Sequence, residues 1–376
     1  MIRGLALPCS RSAGAHRHRV SRPVTLVAVL GLLALSACTS GSGGNDNQAA
    51  PSSTSAPAPA PSPSPSPSSA PAPPPASCAG ATTVDVSTAA DLQRALDDAR
   101  PGQTIRLADG RYKENFVATA KASAEAPIHL CGSRGAILDG GQIDGDYTLH
   151  LSGAAYWQVS GLTVTGGKKG VMVDAGVGNR IEGLMVTSVG DEAIHLRTNS
   201  TDNVVSGNTV RNTGLRRAKF GEGIYTGTAE SNWCQISGCQ PDRSDRNLIE
   251  GNDISGTTAE AVDIKEGTSG GVVRHNTFDG SAMAGADSWV DVKGNGWTID
   301  GNTGTATPKD GFQVHQVVDD WGRDNVFTGN TGTVGAEGYM VNVAGPRSIR
   351  DRTTVRCDNS AGGAGKGLSN VTCRNS

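Results

Sequence analysis

A short phrase recurs down this chain: an apolar residue, a polar one, then Gly-Asn or a near equivalent. It runs Ile181-Glu182-Gly183-Leu184, Val205-Ser206-Gly207-Asn208, Ile249-Glu250-Gly251-Asn252, Val273-Arg274-His275-Asn276, Ile299-Asp300-Gly301-Asn302 and Phe327-Thr328-Gly329-Asn330. The closing positions are 24, 44, 24, 26 and 28 residues apart. Self-similarity at this period marks a solenoid, whose units bury their apolar faces only by stacking on one another. The segments between are short, β-branched and bounded by Gly and Asn, as in Asn203-Val204-Val205-Ser206-Gly207, so the units are strands. The 51 glycines suit tight corners. Asn at a corner tolerates left-handed backbone and can bond the next coil. The pattern predicts an all-β protein, a single parallel β-helix over about residues 83–345.

A second frame lies in each coil: an acidic or small residue, then Gly or Ala, then apolar-x-apolar-x. Examples are Ala193-Ile194-His195-Leu196-Arg197, Ala261-Val262-Asp263-Ile264-Lys265 and Gly311-Phe312-Gln313-Val314-His315. Side chains alternate along a strand, so the x positions face outward and stack into columns. One column reads Met172, His195, Tyr225, Asp263, Asp291, Gln313, Met340; the other reads Asp174, Arg197, Gly227, Lys265, Lys293, His315, Asn342. With neighbouring strands about 4.8 Å apart, these groups form one patch. Asp263 faces Asp291, and Lys265 faces Lys293. Diagonal Asp–Lys pairing is one reading of that arrangement. Another is that adjacent ammoniums lower the Lys265 pKa and make it a base. The two Asp, with Glu260, suit a shared cation such as calcium, or the paired carboxylates of a glycosidase. On this reading Lys265, Lys293, Arg197 and His195 are catalytic. The 44-residue step carries a loop with Arg216, Arg217, Lys219 and Trp233. Together with Tyr225, Gln313 and His315 these are candidate glycan-binding groups.

Residues 1–37 read as an export signal: arginines precede the apolar run Val24 to Leu35. Leu35-Ser36-Ala37-Cys38 resembles the bacterial lipobox, which implies cleavage before Cys38, lipidation of its thiol and a place on the outer face of the cell membrane. Residues 38–77 are rich in Pro, Ser and Ala, a linker that builds no core. The domain proper is 78–376. Loss of the five arginines of the signal takes the formal charge from −3 to −8, which argues against nucleic acid as a partner. A monomer is expected. Six cysteines remain in an exported chain, and proximity pairs Cys234 with Cys239, Cys357 with Cys373, and Cys78 with Cys131. Thr88 to Ala99 is amphipathic, with Leu92, Ala95, Leu96 and Ala99 on one side and Pro101-Gly102 as a stop; a helix here would cap the solenoid.

From Leu92 through Ala95-Leu96 and Arg100-Pro101-Gly102-Gln103-Thr104-Ile105-Arg106-Leu107-Ala108-Asp109-Gly110 the chain resembles the opening of right-handed parallel β-helix proteins. These are the pectate-lyase-like and chondroitinase/alginate-lyase-like polysaccharide lyases and the NosD-type β-helices. The resemblance implies a polysaccharide lyase that cleaves a uronate-containing glycan by β-elimination. Glycoside hydrolases, uronate epimerases and non-catalytic surface binders remain alternatives on the same scaffold. The Trp-Ile-Asp-His motif of pectate lyases and the paired-Asp motifs of polygalacturonases are absent from the sequence.

Overall fold

Three parallel sheets of 11, 10 and 10 strands wind around one core in the computed structural model, which describes Cys78 and residues 82–375. Each coil gives one short strand to each sheet. Arg180–Glu182, Met185–Thr187 and Ile194–Arg197 make one such coil, and the next repeats it at Val204–Ser206, Thr209–Arg211 and Ile224–Thr226. The predicted export signal, Cys38 and the linker lie outside the described residues. No helix among those described is long and apolar enough to cross a membrane.

The recurring Asn residues hold the coils in register. Asn208 Oδ1 accepts from Leu184 N at 2.8 Å, and Asn252 Oδ1 accepts from Asn208 N at 3.0 Å. The ladder continues through Asn276, Asn302, Asn330 and Asn359, each buried and each bonded to the next by both backbone and side chain. The 44-residue step is therefore a single coil with a long insertion. Left-handed backbone falls one residue earlier than expected. Gly207, Gly251, Gly301 and Gly329 carry φ near +60°, and His275 takes the same conformation at its coil. The Asn contributes its amide, and the residue before it makes the bend.

Inside, alternation puts Val, Ile, Leu and Phe at near-zero exposure, with Trp157, Trp289 and Trp297 among the largest buried side chains. The helix Ala89–Asp97 is capped by Thr88, whose side chain accepts from Asp91 N, and it buries Leu92 and Leu96 against the first coil. The three disulfides are Cys78–Cys131, Cys234–Cys239 and Cys357–Cys373, the pairs expected from proximity.

Candidate active site

The third sheet carries the chemistry, and its register builds the predicted columns. Met172 pairs with His195, His195 with Tyr225, Tyr225 with Asp263, Asp263 with Asp291 and Asp291 with Gln313. The coil that follows, at Tyr339–Ala344, is displaced by two residues. Gln313 pairs with Asn342 rather than Met340, and Met340 is buried in the apolar core.

A third column joins these. Gly170 N donates to Glu192 O, Ala193 N to Glu222 O and Gly223 N to Glu260 O. This places Lys169, Glu192, Glu222 and Glu260 one above another at the strand starts. Of these only Glu260 was expected in the site. The signal lies in the triplets Glu192-Ala193-Ile194, Glu222-Gly223-Ile224 and Glu260-Ala261-Val262, whose acidic residue opens the frame.

Stacked acids shift one another. Glu222 lies between two of them. Burial first, then the charges of Glu192 and Asp263, push its carboxyl well above the usual range. Burial and Asp263 raise Glu260 to about 7. Glu192 goes the other way: Lys169, with its Nζ at 2.8 Å, and His195 outweigh burial and keep it ionised. Oxygens of Glu222, Glu260 and Asp263 lie within 4.8 Å of one another. Three carboxylate oxygens at that separation fit a cation of calcium size. Glu222 Oε2 is buried with no hydrogen-bond partner, as a ligand atom awaiting an ion would be. Asp291, expected in the same cation site, lies outside this trio and is engaged by Lys293 Nζ at 2.6 Å and by His315 Nδ1 at 2.8 Å. Asp263 is also bonded to Lys265 and Lys293, so a cation here would share its carboxylate with both ammoniums.

Lys265 pulls the Lys293 pKa down, but the neighbouring carboxylates outweigh it. Burial pulls Lys265 down, but Asp263, with its oxygen 2.6 Å from Nζ, and then Asp291 more than offset this and hold the ammonium protonated. Lys293 behaves alike, bonded to Asp263 at 2.7 Å and to Asp291. Diagonal Asp–Lys pairing is thus what relieves the like-charge contacts.

Beside these columns lies a polar cleft of about 660 Å³. Of the expected groups, Lys265, Tyr225, His195, Arg197, Arg216 and Lys219 line it, together with Tyr147, Lys168, Lys169, Glu192 and Glu222. Lys265 Nζ stands 5.0 Å from the centre of the Tyr225 ring. Burial, then Asp263 and Glu222, push the Tyr225 hydroxyl well above its ordinary pKa, so it keeps its proton. Arg197 is held at the wall by Asp174 at 2.7 Å and by the Tyr147 hydroxyl at 3.2 Å. Arg216 is bidentate on Asp191.

Other expected groups take different roles. His195 is buried, and desolvation with the neighbouring Lys169 lowers its pKa, so the ring is neutral. One nitrogen faces Lys169 Nζ at 2.8 Å and the other donates to Gly227 O at 2.9 Å. It is fully committed and does not hold a carboxylate. Trp233 is buried, and its Nε1 donates to Thr228 O, so it anchors the loop rather than stacking on a sugar. Gln313 is buried against Asp310. Lys293, Arg217, Gln313 and His315 are not among the residues lining the cleft. Arg217 is exposed beside the Phe220 ring.

Coils of this form with a polar, cation-rich cleft on one sheet define a polysaccharide-lyase-like β-helix. The model of the Pel9A-like right-handed β-helix region matches residues 74–239. The alginate lyase from Paenibacillus sp. str. FPU-7 is 36% identical, with a TM-score of 0.72, over 78% of this chain and 99% of that one. The chain belongs to the right-handed β-helix family that includes this lyase. The pectate lyase Pel9A (16% identity, TM-score 0.55, 74% of this chain and 71% of that one) shares the fold. So does the Streptococcus pneumoniae surface protein and adhesin PfbA (12%, 0.53, 76% and 82%). Among curated proteins nothing matches.

Proposed function

We propose that this protein is an exported lyase that cleaves a uronate-containing polysaccharide by β-elimination, with an alginate-type polymer as first candidate. The observation that carries this is the Lys265–Tyr225 pair in a basic cleft, in a chain 36% identical to an alginate lyase along nearly its whole length. Three disulfides support export to an oxidising compartment.

The reaction needs a base for the C5 proton, an acid for the leaving oxygen and positive charge near the carboxylate. Lys265 is the base. Turnover starts from the minority form in which Nζ has released to solvent the proton that Asp263 and Asp291 hold on it, and that neutral Nζ takes the C5 proton as the C4–C5 double bond forms and the C4–O bond breaks. Tyr225, held protonated, gives its hydroxyl proton to the departing oxygen. Lys265 then carries the extra proton and Tyr225 lacks one, and proton exchange with solvent restores both. Arg197, Lys168 and Lys169 supply the positive wall. Glu222, Glu260 and Asp263 would hold a divalent cation, whose charge would weaken the grip of Asp263 on the Lys265 proton. Intact cells supplied with alginate, and purified protein supplied with alginate or polygalacturonate, should release ultraviolet-absorbing unsaturated uronides. Release of reducing ends without new absorbance would reject the elimination.

Calcium should raise the unfolding temperature, and the increment should grow as pH rises through about 7, because Glu260 must lose its proton to become a ligand. Without calcium the same group acts in the opposite sense. Its folded pKa is raised from 4.5, so its contribution to stability is complete below about 4.5 and lost as pH climbs through about 7. Glu222→Gln should erase the calcium increment while leaving the metal-free protein at least as stable. Thermal melts with calcium and with chelator read both effects. Identical melts at every pH would remove the cation from the mechanism.

A further inference from the structure

A second basic pocket lies at the C-terminal end of the solenoid, away from the cleft. It has a volume of about 670 Å³ and is lined by Arg347, Arg350, Asp351, Asn370, Thr372 and Arg374. The three arginines are exposed and meet one carboxylate there, with Arg347 Nε 3.6 Å from Asp351. The floor is firmly built. Asn370 donates to Asn342 Oδ1 at 2.9 Å and to Val343 O at 3.0 Å, and it accepts from Val343 N.

Its place in the fold is informative. Arg197 and His315 end strands of the third sheet, while Lys265 and Lys293 directly follow theirs. Arg347 and Arg350 follow the next strand of that sheet, Tyr339–Ala344, whereas Arg374 has already passed to the first sheet, where it bridges Arg356 and its N donates to Val355 O. The pocket therefore lies at the corner where the third sheet's strand-end edge, which also carries Lys265, passes over to the first sheet. Four strand spacings separate the Lys265 coil from the last one, roughly 19 Å along the axis. A chain bearing a carboxylate on every sugar, lying along that edge, would reach it. The domain is net acidic, so a local excess of cations at this point selects an anion by contrast with its surroundings.

We propose that this arginine pocket is a secondary subsite that binds carboxylates of the same polyuronate chain beyond the cleft and keeps the polymer on the enzyme. This rests on the proposed lyase reading. The test is the double variant Arg350→Ala/Arg374→Ala, whose exposed side chains leave the core intact, as an unchanged melting temperature will verify. With alginate polymer its KM should rise about fivefold or more, on the basis that one or two charge-assisted contacts are lost. With short oligouronates kcat/KM should stay at the wild-type value. In native gels cast with alginate, the wild type should be retarded and the double variant less so. Wild-type turnover with equal KM and equal retardation in the variant would overturn the subsite alone. A loss of activity on polymer and oligomer alike would also overturn it, since that would mean the arginines serve the cleft. Failure of the wild type to cleave or bind alginate and polygalacturonate would overturn the lyase reading, and this subsite with it.

Discussion

Lys265→Ala is expected to lower kcat on the susceptible polyuronate by about 10²- to 10⁴-fold, the usual contribution of a positioned base. Tyr225→Phe should produce a loss of similar size with little change in KM. It removes only the hydroxyl and keeps the ring between Lys265 and His195. The two variants differ in stability. Lys265 neutralises Asp263, which is 2% exposed, so its removal leaves that carboxylate to Lys293 alone and lowers the melting temperature. Phe at 225 should cost little. Lys293→Ala provides the contrast, because Lys293 binds both Asp263 and Asp291 but does not line the cleft. It should lose stability more than turnover per folded molecule. Steady-state kinetics on variants whose folded fraction is measured by circular dichroism will separate these effects. Full activity in Lys265→Ala would remove it as the base.

Asn276→Ala should destabilise the fold by about 3–5 kcal/mol, because it strands several buried polar groups at once. Asn276 Oδ1 accepts from both the backbone and side-chain nitrogens of Asn252 at 2.9 Å. Its Nδ2 donates to Ile249 O at 3.0 Å and to Asn302 Oδ1 at 2.9 Å. None of these atoms gains access to water when the side chain is shortened, since both neighbouring Asn residues are almost fully buried. Thr277→Ala, on an exposed neighbour, should change stability by less than about 0.5 kcal/mol. Denaturant titration of the two variants checks the difference. Equal midpoints would mean that the ladder decorates the coils without holding them.

The fold was legible because one physical need repeats at one spacing. Every coil must bend at a corner and satisfy the backbone there, and Gly-Asn answers both. The column of His195, Tyr225, Asp263 and Asp291 was legible for a similar reason: alternation along a strand leaves no freedom about which side chains point outward. Three things were not legible. Glu192 and Glu222 open their frames as acidic residues, but a single strand carries no sign that they stack across coils, and that stacking is the source of their chemistry. The slip at Tyr339–Ala344 has no local sequence mark, since a shift of two residues leaves the alternation unchanged. The ionisation of Lys265 was misjudged because its nearest neighbour is a carboxylate at 2.6 Å rather than the second ammonium. Trp233 shows the same limit, because an aromatic residue in a loop reads alike whether it faces solvent or packs beneath the loop.

The central claim is elimination, and the masses of the products test it most directly. Alginate digested by the purified protein should yield oligosaccharides whose summed masses equal that of the parent chain, each new non-reducing end carrying a C4–C5 double bond. Products heavier by one water for every bond cut, with no unsaturated end, would be those of a hydrolase and would contradict the roles given to Lys265 and Tyr225.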